Sequence, residues 1–115
     1  MPKNNISTIT KRSEFIYLKK NGNKIKSKLL NIVYVKLEQS NTKVAYIASK
    51  KIVGNAVKRN KAKRRLRSLV REHCNVIPNH YLLLFIASHK SYNVDYKLLK
   101  ENFLHCISKI NVNNY

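Results

Sequence analysis

Acidic residues are what this chain has least of: 5 Asp and Glu stand against 24 Lys and Arg, a formal charge of +19 over 115 residues. A two-metal nuclease holds its ions about 4 Å apart with several converging carboxylates. Here Glu14, Glu38, Glu72, Asp95 and Glu101 are scattered over separate stretches, so the residues point to no catalytic centre. Glycine is scarcer still, and with only Gly22 and Gly54 there is no Gly-rich phosphate loop. Two cysteines, Cys74 and Cys106, fall in predicted helices and suit buried thiols in a reducing compartment. The dipeptides His73-Cys74 and His105-Cys106 carry zinc-ligand chemistry, yet adjacent helical residues diverge by about 100° and no CxxC spacing is present, so core packing is expected and no metal. His73, His80, His89 and His105 form no paired motif for metal-free RNA cleavage. The longest apolar run, Tyr81 to Ala87, is too short to span a bilayer, and the first five residues start no signal peptide. A soluble cytoplasmic protein with no membrane partner is expected.

What is abundant is positive charge, and it is concentrated. Lys50 to Arg71 reads KKIVGNAVKRNKAKRRLRSLVR and holds ten of the 24 Lys and Arg residues. On a helix from about Asn55 to Cys74, Ala62, Leu66, Leu69, Val70 and His73 form a core-facing stripe. Asn60, Arg64, Arg67 and Arg71 recur on the opposite side, flanked by Lys61 and Lys63. Like charges at i and i+4 cost a helix a few tenths of a kcal/mol per pair, and Lys58 and Arg59 in the first turn oppose the macrodipole. A row of one sign that strains its own helix points to a polyanion as the missing partner. Nucleic acid fits better than an acidic membrane, because no amphipathic stretch pairs its cations with a wide Trp/Phe/Leu face.

Around that stretch the chain reads as one domain over 1–115, with 1–12 and 111–115 flexible and Ile6 and Ile9 as anchors. Ser13 is placed as the N-cap of a short helix ending at Asn21-Gly22, with Phe15 and Leu18 on one face. A weak strand over Lys24 to Lys28 and a stronger one over Leu29 to Leu37 follow. Lys43 to Ser49 is expected to pair with the latter as an antiparallel hairpin turning at 38–42. Gly54-Asn55 starts the basic helix, and His80 to Ser88 suits a strand buried on both faces. A last helix runs to about Ile110 on Leu99, Phe103, Cys106, Ile107 and Ile110. The order α-β-β-β-α-β-α gives an α+β fold, a two-layer sandwich of helices on a four-stranded sheet.

Ser49-Lys50-Lys51, Gly54-Asn55-Ala56-Val57, Arg59-Asn60-Lys61, Lys63-Arg64 and Arg67 together resemble the protein subunit of bacterial ribonuclease P, whose pattern is SKK, a short gap, GNAV, then RNR, KR and a further R along one helix. The element order agrees over essentially the whole chain. The resemblance implies a left-handed βαβ crossover around the basic helix. It implies a non-catalytic protein that assists a magnesium-dependent catalytic RNA in removing the 5′ leader of precursor tRNA. It places Arg59, Asn60, Lys61, Lys63, Arg64 and Arg67 against the RNA subunit, with Arg71 continuing the row. It implies a leader-binding cleft lined by Phe15, Tyr34 and Lys50 or Lys51, where aromatics stack bases and lysines track phosphates. Two positions depart from the pattern: Lys61 replaces the third residue of the RNR core, and Lys19 stands where a second aromatic is usual. The alternatives are a ribosomal or RNA-chaperone protein, which explains charge and fold but not the motif, and a DNA-binding regulator, which lacks a helix-turn-helix context.

Overall fold

In a computed structural model, which describes residues 6–38 and 40–112, a single mixed sheet carries helices on both faces. The elements are β1 (Ser7–Thr8), α1 (Arg12–Asn21), β2 (Asn23–Lys26), β3 (Leu30–Lys36), β4 (Lys43–Ile47), α2 (Lys50–Val53), α3 (Ala56–Glu72), β5 (Tyr81–Ala87) and α4 (Tyr96–Val112). The α+β class and the order of the long elements are as expected. The sheet has five strands rather than four, ordered β1-β4-β5-β3-β2. The extra strand, β1, lies in a stretch expected to be irregular. It is legible only in place, where Ser7 N–H donates to Thr42 O at 3.1 Å and Ile9 N–H to Val44 O at 2.8 Å.

β5 takes the centre because YLLLFIA is apolar at every position and has to be covered on both faces. It pairs antiparallel with β3 (Val33↔Leu84) and parallel with β4 (Ala45↔Leu84). The expected β3–β4 hairpin is therefore absent. The two strands do run in opposite directions, but β5 lies between them, and the hairpin partner of β3 is β2 (Ile25↔Ile32). Thr42 anchors the crossing: its Oγ1 donates to Pro78 O at 2.6 Å and accepts from Tyr81 N–H at 3.1 Å. Gln39, in the expected turn, lies outside the described residues, as do 1–5 and 113–115 of the expected flexible ends. Asn111 and Val112 belong to α4.

Alternation along the strands divides the interior in two. Tyr34, Val44, Leu83 and Phe85 point to one face, where α3 contributes Ala62, Leu66, Leu69 and Val70, and α4 contributes Leu99, Phe103, Cys106, Ile107 and Ile110. Val33, Ala45, Leu82 and Leu84 point to the other, which among the described residues Ile9 and α1, through Leu18 and Phe15, cover. The expected two-layer packing describes the first face, and α1 adds a partial third layer on the second. α1 begins at Arg12 with no side-chain cap, so Ser13 is inside the helix rather than capping it. Its first turn is pinned by Glu14 Oε2, which accepts from Lys43 Nζ at 2.7 Å. Its end is pinned by proximity: a Cβ on Gly22 would meet Leu18 O at 2.4 Å and Val33 Cγ1 at 2.6 Å. No described helix is long and apolar enough to cross a membrane.

Candidate nucleic-acid interface

The basic stretch folds as two helices joined at one glycine. Ser49 caps α2, its side chain accepting from Ile52 N–H at 3.1 Å. Gly54 then adopts φ 119° and ψ −139°, a conformation that L side chains rarely enter. Asn55 caps α3, accepting from Lys58 N–H at 3.0 Å. The sequence signals a turn at Gly54 but not α2, which is a single turn with no periodicity of its own.

From that start the stripe of α3 seats as expected, with Ala62, Leu66 and Leu69 fully buried and Val70 at 5% exposure. His73 is half-buried at the C-cap, beside Phe103. The opposite ridge carries Asn60, Lys61, Arg64, Arg67 and Arg71, all exposed, led by Val57 at 75% exposure. Among the described residues none of Lys61, Arg64 and Arg67 has an ion-pair partner, and Glu72 is engaged by the Tyr96 hydroxyl at 3.2 Å. Such a ridge can neutralise consecutive phosphates without first breaking salt bridges. Arg59 and Lys63 are half-buried on its flank, and Arg59 Nε is buried with no hydrogen-bond partner among the described residues.

The run Lys63-Arg64-Arg65-Leu66-Arg67 is not uniform. Arg65 turns toward α4, donating from Nη1 to Ser91 O at 2.8 Å and from Nη2 to Val94 O, with its guanidinium 5.5 Å from the Tyr96 ring centroid. It is a structural cation, and its position between ridge and stripe on the wheel was the available signal. Lys58 likewise lies 5.2 Å from the Tyr92 centroid.

A second surface lies on the other side of the sheet. α1 runs across its middle and leaves Val35, Leu37, Ile47 and Ile86 half-covered. Ile86 is paired with Asn31 on one side and Ile47 on the other, so one row across three strands is open. Phe15 and Lys19, one turn apart, lie on the same face of α1. Lys50 and Lys51 are exposed just past the end of β4. Tyr34 is not in this group. It faces the α3/α4 side at 6% exposure, 6.1 Å from the Tyr81 ring centroid, so the sheet separates it from Phe15.

A family model described as Ribonuclease P matches residues 1–111. The chain belongs to the ribonuclease P protein family. Curated relatives named ribonuclease P protein component include one from Acholeplasma laidlawii, 37% identical over 68% of this chain and 66% of its own length. Another, from Nitratiruptor, is 29% identical over 91% of this chain and 93% of its own. The match to a Helicobacter pylori relative is 43% identical but spans only 37% of that protein. Solved ribonuclease P proteins from Thermotoga maritima and Staphylococcus aureus share the fold, with TM-scores of 0.79 and 0.77, at 22% and 23% identity over 90% of this chain. They cover 96% and 94% of those chains. The matched residues take in the whole basic stretch from Ser49 to Arg71, with its two caps, glycine joint, core stripe and ridge.

Proposed function

We propose that this chain is the protein component of a ribonucleoprotein endonuclease that matures the 5′ end of tRNA, with hydrolysis carried out by the RNA subunit. The observation that carries this reading is the unpaired cationic ridge of α3, set on the family's motif. In this reading the magnesium of the reaction is held by the RNA subunit. Arg59, Asn60, Lys61, Lys63, Arg64, Arg67 and Arg71 would meet the RNA subunit. Phe15, Lys19, Lys50 and Lys51 would border the precursor's single-stranded leader, over the half-covered row of Asn31, Ile47 and Ile86. Tyr34 drops out of that cleft.

Reconstitution tests the reading. Cleavage of precursor tRNA by the cognate RNA subunit at low magnesium is expected to rise on adding the protein, and no rise would overturn it. Arg64→Ala is expected to flatten the salt dependence of RNA-subunit binding by roughly one unit of logarithmic slope for each phosphate left unneutralised. Phe15→Ala is expected to weaken binding of precursor tRNA more than of mature tRNA.

A further inference from the structure

Four planar groups, each against the next, lead from the middle of the α3/α4 face to its surface. Phe103 and Phe85 stack at 5.6 Å and 27°, and Phe85 and Tyr46 at 5.8 Å and 19°. The Arg67 guanidinium lies over Tyr46, 5.4 Å from the ring centroid. Phe103 and Phe85 have no exposure, Tyr46 is half-buried and Arg67 is exposed. A column rooted in the core thus ends in a cation whose outer side meets solvent. Burial raises the Tyr46 hydroxyl to about 12 despite the lowering influence of Arg67 and Arg71, so the ring is neutral near pH 7 and its face attracts the guanidinium.

The column ends in an open cleft of about 380 Å³ between α3 and the edge strand β1. Arg67 and Arg71 line one wall, and Ser7 and Thr8 the other. Ser7 and Ile9 direct their N–H groups to Thr42 and Val44, so strand alternation turns the Thr8 N–H away from β4. Arg71, one turn beyond Arg67, is exposed. Aromatic, cations and the edge strand of the described sheet thus line one space within the range of small-ligand sites.

Building on the RNA-binding reading above, we propose that Arg67, held on Tyr46, is a stacking platform for one unpaired base of the RNA partner, with Arg71 on the adjoining phosphate. Splayed-out bases stack on guanidinium planes as they do on aromatic rings. A side chain already held by a ring surrenders less freedom on binding than a solvated one. A paired base is enclosed by its own neighbours and cannot enter, so the site discriminates single strand from duplex where the rest of the ridge does not.

The test uses the full chain with two probes at matched salt, a single-stranded hexaadenylate and a blunt 12-base-pair RNA duplex. Arg67→Lys keeps the charge and removes the plane; Tyr46→Leu removes the platform and keeps the bulk. Each is expected to bind the hexamer about tenfold more weakly and the duplex within twofold of the parent. Equal losses on both probes, or no loss on the hexamer from either variant, would overturn the platform. Arg64→Ala, run alongside, is expected to weaken both probes. If it weakens neither, the ridge reading itself fails; if it weakens both while Arg67→Lys is silent, only the stacking site is overturned. Circular dichroism confirms folding of each variant.

Discussion

The two faces of the sheet are built from alternate residues of the same strands and finished differently. On one, two 17-residue helices close over the strands, and a column of rings from Phe103 through Phe85 to Tyr46 fills the interior. On the other, a single 10-residue helix crosses the strands and leaves a row uncovered. The closed face holds α3 rigidly enough for its outward side to carry cations that oppose one another. The open face gives up burial and leaves Val35, Leu37, Ile47 and Ile86 half-covered. A closed core and a part-open one thus lie on either side of one layer of backbone rather than in separate stretches of the chain.

Adjacent residues of β5 offer the most direct way to break that distinction. Phe85→Ala empties the middle of the column, and a fully buried Phe replaced by Ala costs about 3–5 kcal/mol. Ile86→Ala, one residue on but half-covered, is expected to cost about 1 kcal/mol, since much of its surface is solvated already. Denaturant midpoints at constant m-value measure both. Equal costs would mean that the open face is as much a core as the closed one.

Gly22→Ala probes how firmly α1 is seated. Gly22 has φ −75°, so its backbone is ordinary, and the obstacle is the space a Cβ would need. Leu18 O is backbone and cannot yield without moving the helix end, so overpacking of about 1–3 kcal/mol is expected. Because the displaced element borders the open row, precursor binding is expected to fall more than RNA-subunit binding. Loss of stability with unchanged discrimination between precursor and mature tRNA would detach α1 from the groove.

What could be read from the sequence follows the same division. The ridge and stripe of α3 are periodic over four turns, and every stripe position except the half-buried His73 is buried. The α4 stripe is buried throughout, from Leu99 to Ile110. Tyr34 lies on the face opposite the expected one for a definable reason. Ile32, Val33 and Tyr34 are all buried, so β3 shows no polar-apolar alternation, and nothing local says which parity meets which helix. The missing β3–β4 hairpin is a related case, because a strand arriving 34 residues after β4 intervenes and no short-range signal announces it. β1 is hidden by its length of two residues, and Arg65 by its neighbours' identical charge.

Tyr46 stands where the closed face reaches the surface, and its titration offers the smallest and most specific test. Burial raises its hydroxyl to about 12 from an ordinary value near 10, so the folded chain holds that proton where the unfolded chain releases it. The sign follows: the contribution is fully present below about pH 10 and is lost as pH rises toward 12. Tyr46→Phe has no such proton, so its stability relative to the parent is expected to improve across that window and to be constant between pH 7 and 9. Urea midpoints of the two proteins at pH 8 and pH 11 measure the difference. A parallel fall in both would place the ring in solvent, and with it the base of the column that holds Arg67.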